Sequence, residues 1–190
     1  LSGTPGQNDA GIYSISLTAT DSAGLTATQS VKLSTTTGSV SVGGSYSGTL
    51  DVTGDKDWIA VELTSGQAYG VSLSGNSGSF VDNGIEDPKH DPAILNCGCP
   101  SCIGTDKQEL EGSNIEATLV DPYLYVYDED GSLIKSDDDS GSGRNSYLTF
   151  TPNYSGTYYL EARAWQDNYT GDYKINVCII KVDSIQYDLL

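Results

Sequence analysis

The residues in this chain with the most evident chemistry are carboxylates gathered at turns. Asp137-Asp138-Asp139 runs into Ser140-Gly141, with Gly143 and Asn145 close behind. Neighbouring carboxylates repel and raise one another's pKa unless a cation sits among them. Calcium takes about six to eight hard oxygen ligands, and glycines let backbone carbonyls turn in to join the side chains. Asp137, Asp138, Asp139 and Asn145 are therefore candidate calcium ligands; a solvated acidic hairpin is the alternative. Asp55 and Asp57 flank the turn before Trp58 and either ligate an ion or cap the turn by accepting backbone N–H bonds. Asp82, Glu86, Asp87 and Asp91 are dense enough for a further ion, so more than one calcium is expected. Asp128-Glu129-Asp130-Gly131 ends in an Asp-Gly hairpin signal that needs no metal.

Catalytic constellations are missing. The only histidine, His90, lies in the turn-like Pro88-Lys89-His90-Asp91-Pro92, with no Gly-x-Ser-x-Gly or His-Glu-x-x-His motif in the chain. The chain is read as a non-enzyme. Of four cysteines, three cluster as Cys97-Gly98-Cys99-Pro100-Ser101-Cys102 and Cys178 is remote. An even count in a secreted setting favours disulfides, and a four-thiolate zinc site is the alternative. Spacing does not fix the pairing.

Acidic residues number 26 against 9 basic ones, a net charge of −17. Such a surface repels phosphate backbones and anionic membranes, which argues against nucleic acid as a partner. No stretch approaches the ~20 apolar residues of a membrane span. The first residues read as the interior of a longer polypeptide rather than as a signal peptide. Thirteen tyrosines, two tryptophans and many β-branched runs argue against disorder.

What must position these residues is a set of strands. Alternation with a period of two, punctuated by Gly, Ser and Asp, predicts strands over 11–20, 25–34, 46–52, 57–63, 67–73, 122–127, 133–135, 146–150, 156–165 and 171–182. Their even spacing predicts an all-β, antiparallel β-sandwich or jelly roll. Two strands cannot bury a core alone. Residues 1–36 are thus the last strands of a repeat or a docked hairpin, Thr35–Gly38 a linker, and 37–190 the main domain. From 79 to about 118 no strand is predicted, yet three cysteines occur there. Structureless loops longer than ~15 residues are usually functional or disordered, and the cysteines favour function for this disulfide-bearing insert. Along 156–165, Tyr158, Leu160, Ala162 and Ala164 share one face, while Tyr159, Glu161, Arg163 and Trp165 share the other. Tyr159, Arg163 and Trp165, with Asp91 of the insert, are candidate ligand contacts, because such residues dominate binding hot spots. A sheet face covered by the insert is the alternative.

Longer stretches carry resemblances. GTPGQNDAGIYSISLTATDSAGLTATQSVKLS resembles the final strands of dystroglycan-type cadherin-like repeats, which implies a spacer. Four blocks, in family order, resemble the bacterial pre-peptidase C-terminal (PPC) domain family: GDKDW into IAVEL, DPYL into YVYDEDG, SDDDSG, and NSYLTFTPNYSGTYYLEARAW followed by DNYTGDYKINV. This resemblance spans about 39–182 apart from the insert. It implies a jelly-roll-like sandwich, calcium binding, and collagen or other protein ligands. It also implies that Asp121 stands near the Asp137 turn, adding Asp121 to the calcium shell. The whole arrangement resembles the peptide-binding region of giant repeats-in-toxin (RTX) adhesins at the bacterial surface. The expected function is a calcium-dependent adhesion module of a large secreted bacterial surface protein. Its partner would be a protein or peptide on a host or neighbouring cell, and the module itself would be monomeric within a longer chain. The alternatives are a carbohydrate-binding module, a collagen-binding or accessory domain of a secreted protease, and a calcium-stiffened spacer without a ligand.

Overall fold

The computed structural model of the protein describes residues 4, 6, 9–75, 118–141 and 143–180. Alternation translates directly into strands. In DWIAVEL, Ile59, Val61 and Leu63 are buried while Trp58, Ala60 and Glu62 point outward. In chain order the strands are β1 (Gly11–Thr20), β2 (Thr26–Thr35), β3 (Gly38–Ser39), β4 (Ser45–Leu50), β5 (Asp57–Leu63), β6 (Tyr69–Ser74), β7 (Pro122–Tyr127), β8 (Leu133–Asp137), β9 (Ser146–Phe150), β10 (Gly156–Ala164) and β11 (Gly171–Ile179).

Two sheets share one core. One is five-stranded in the order β3-β5-β10-β7-β8, the other four-stranded in the order β4-β11-β6-β9. Pairing is antiparallel throughout except between β3 and β5. Ile59, Val61, Leu124, Val126, Tyr158 and Leu160 of the first sheet meet Leu50, Val71, Leu73, Leu148, Ile175 and Val177 of the second in a single hydrophobic cluster. The protein is therefore all-β and fits a β-sandwich. Among the described residues no helix is long and apolar enough to cross a membrane.

The register brings three chain segments to one corner. Pro122, at the start of β7, pairs with Ala164 at the end of β10. Leu124 pairs on its other side with Asp137 at the end of β8. Asp121, the turn after Asp137 and the segment after Ala164 thus converge at one end of the five-stranded sheet.

β1 and β2 form a separate two-stranded sheet, with Tyr13 opposite Leu33 and Ile15 opposite Val31. These four side chains are exposed. Contacts with the sandwich come from the other face, where Ile12 lies against Gly131 and Lys32 bonds Asp130. The segment expected to be a linker is partly sheet. Gly38–Ser39 is β3, and Thr37 is held from both sides, its N–H donating to Trp58 O (2.8 Å) and its hydroxyl to Asp57 Oδ1 (2.9 Å). A two-residue parallel pair has no periodicity for sequence reasoning to detect.

Several strand ends differ from expectation by one to three residues, and two of them lie at the Asp121 corner. β10 stops at Ala164 because Trp165 opens a 3-10 turn, Trp165–Asp167, in which Gln166 adopts a left-handed backbone (φ 53°). β8 runs two residues further, to Asp137. Cys97, Cys99, Cys102, Asp82, Glu86, Asp87 and Asp91 lie outside the described residues, as does all of the expected insert except its last residue, Thr118. Thr118 is hydrogen-bonded to Asp172 of β11 in both directions, at 2.9 Å.

Candidate cation and ligand site

Asp121, Asp138 and Asp139 come together at the corner described above, each offering a carboxylate oxygen within 4.8 Å of the others. Buried Ser146 closes the turn behind them. Its Oγ lies 2.7 Å from Pro122 O, 2.8 Å from Asp138 O and 3.0 Å from Asp137 O, so one hydroxyl proton serves three carbonyls in turn. Arg144 Nη1 donates to Asp121 Oδ2 at 2.8 Å, which answers one of the three negative charges. Asp138 Oδ1 is shielded from solvent and accepts no hydrogen bond from the described residues. Burial, then the charges of Asp139, Asp121 and Asp137, push the Asp138 carboxyl up to about 6, with Arg144 opposing. The donor set suits a hard divalent ion: three carboxylates, one of them shielded and without a donor.

Not every expected ligand faces this corner. Asp137 is turned toward the backbone, where its Oδ2 accepts from Tyr147 N (2.8 Å) and Ser140 N (3.1 Å). Asn145 Oδ1 accepts from Gly75 N at 3.0 Å, tying the turn to the end of β6. Asp55 and Asp57, both buried, form a second acidic corner. Asp55 caps its turn by accepting from Asp51 N (2.8 Å) and Lys56 N (2.9 Å). Asp57 accepts from Thr37 Oγ1 and, at 2.6 Å, from the Tyr173 hydroxyl. Burial raises the Asp57 carboxyl and these two hydrogen bonds pull it back. The Asp55 and Asp57 geometry is that of turn caps and buried acceptors.

The outward face of the five-stranded sheet is aromatic. Trp58 stacks on Tyr127 (4.6 Å between ring centroids) and lies 5.9 Å from Tyr159. Tyr127 continues to Tyr125, Tyr125 to Tyr123, and Tyr123 packs edge-on against Trp165 (5.6 Å). Arg163 lies over the Tyr125 ring at 4.0 Å and pairs with buried Glu161 at 3.6 Å. Burial raises the Glu161 carboxyl, against the pull of Arg163 and a hydrogen bond from Tyr127. Of the expected ligand contacts, Tyr159 is buried, Arg163 is half-buried in this packing, and Trp165 is 38% exposed.

Trp165 also belongs to the corner. With Gln166, Asn168 and Tyr169 it forms the wall of a hollow of about 500 Å³ whose other residues include Asp121, Asp138, Asp139 and Arg144. Sequence reasoning missed Arg144, Gln166, Asn168 and Tyr169. Arg144 had a signal, as the lone cation in the turn that carries three aspartates. The other three had none, because the turn that displays them follows a strand end that alternation does not mark.

No family model matches the chain, and neither does any curated protein. Among solved structures it is similar to the pre-peptidase C-terminal domain of a collagenase from Bacillus anthracis. The identity is 12%, 74% of this chain and 92% of that one are covered, and the TM-score is 0.43. It is also similar to a periplasmic inhibitor of g-type lysozyme from Aeromonas hydrophila, at 11% identity, 74% and 95% coverage, and a TM-score of 0.42.

Proposed function

We propose that the protein is a calcium-dependent adhesion module that holds a protein or peptide at the Asp121–Asp138–Asp139 corner. The observation that carries this reading is the convergence of three carboxylates around a shielded, donorless Asp138 Oδ1. A buried anionic oxygen without a donor is costly, and a divalent cation removes that cost. The adjoining hollow, of a size that ligand pockets commonly have, gives a bound molecule somewhere to sit. Asp121, Asp138 and Asp139 would supply the protein oxygens and solvent or ligand the rest. In this reading the module works without catalysis. It sits in a secreted bacterial surface protein, and β1–β2 belongs to a neighbouring repeat that covers its exposed apolar face. The cysteines form disulfides in this reading, and one between the insert and Cys178 would staple the loop to β11. The test is peptide-array binding during a calcium titration. Binding that rises with calcium and vanishes in chelator is expected; binding indifferent to chelator ends the proposal.

A further inference from the structure

Among the described residues three non-glycine residues have a left-handed backbone: Asp121 (φ 60°), Gln166 (φ 53°) and Asp167 (φ 56°). All three stand at one corner, where the Trp165 N–H donates to Asp121 O at 2.8 Å. Such conformations are strained for residues with a side chain and persist where the surroundings impose them. Glycine at 166 or 167 would relieve the strain, and the sequence has none there. The result is a fixed display. Trp165 and Tyr169 stay 38% and 37% exposed on the wall of the hollow, with the side chains of Gln166 and Asn168 also lining it. Trp165 is braced edge-on against Tyr123. Two aromatic rings offer apolar contact area, and the two primary amides, joined by a 3.5 Å bond from Asn168 Nδ2 to Gln166 Oε1, keep further donors and acceptors for a peptide backbone. Asp121 links this wall to the carboxylates, its side chain in the cluster and its carbonyl on the Trp165 N–H.

We infer that Trp165, Gln166, Asn168 and Tyr169 are the ligand-contacting wall of the pocket, built for a short extended peptide, and that a cation on Asp121 sets the wall through the Asp121 carbonyl. This inference rests on the cation reading of the same site. Its test starts from the protein carrying Trp58→Phe, in which Trp165 is the sole tryptophan, titrated with calcium alone. Trp165 emission should shift and saturate together with the calorimetric binding heat, and should stay flat in a Trp58→Phe/Asp138→Asn protein. Binding heat with unmoved emission overturns the coupling while sparing the cation reading; no binding heat overturns both. The contact role is tested with a phage-displayed random heptapeptide library panned in calcium. Trp165→Ala and Tyr169→Ala proteins with unchanged melting temperatures should retain about tenfold less of the clones enriched on the parent. Equal retention overturns the wall assignment, and so does a parent that enriches no peptide or binds only on a glycan array. Gln166→Gly should raise the melting temperature yet lower retention, a split that a purely structural turn does not produce.

Discussion

Two acidic corners of this molecule look alike in sequence and differ in what surrounds the carboxylates. Around Asp55 and Asp57 donors answer the carboxylates, namely the N–H groups of Asp51 and Lys56 and the hydroxyls of Thr37 and Tyr173, although the charges of Asp55 and Asp51 also bear on Asp57. Around Asp138 the described neighbours are other carboxylates, Arg144 donates to Asp121 instead, and one oxygen has no donor among the described residues. Burying a carboxylate among donors builds a joint, whereas burying it among carboxylates leaves a charge for something else to neutralise. Acid density alone does not mark a cation site; the supply of donors does.

The sharpest way to break this comparison is to remove one carboxylate from each corner. Asp57→Ala strands the buried Tyr173 hydroxyl and releases the exposed Thr37, and should cost about 3 kcal/mol in urea unfolding, with or without calcium. Calcium at about 100 times its Kd should stabilise the wild-type protein by roughly 2.7 kcal/mol, and chelator should reverse this. Asp138→Asn should abolish that gain. In chelator, the same substitution should leave the fold as stable as wild type or more so, because it removes repulsion rather than a hydrogen bond. A loss comparable to that of Asp57→Ala would erase the distinction between the corners.

Proton linkage sharpens the contrast further. The Asp138 carboxyl titrates near 6 in the folded protein, above its ordinary value of 3.8. Between these values the folded state binds more protons than the unfolded state, so in chelator the Asp138 contribution to stability declines as pH rises from about 4 through 6. Calcium affinity should climb over the same interval, since protons compete for the site. Thermal melts across that range should show the decline in wild type and a flatter profile in Asp138→Asn. The smallest effect belongs to the hairpin contact. Lys32 and Asp130 are exposed, so Lys32→Ala should change stability by less than about 1 kcal/mol.

Much of the fold was legible because alternation and turn residues mark each strand independently. Tyr158, Leu160, Ala162 and Ala164, which alternation places on one face, are core. The two-residue β3 was hidden, since its pairing partner β5 supplies the order that its own sequence lacks. The candidate site was legible only in part. In the run Asp137-Asp138-Asp139, composition cannot say which carboxylate turns to the backbone, because register against Leu124 and the buried Ser146 decide that. The left-handed Gln166 and Asp167, and with them the wall of the hollow, follow from tertiary contacts with Asp121 that no local pattern announces.

Calorimetric titration of calcium into the wild-type and Asp138→Asn proteins tests the central claim most directly. A site that saturates in wild type and disappears in Asp138→Asn, with Asp55→Asn retaining it, is the predicted result. Identical binding isotherms for wild type and Asp138→Asn would contradict it.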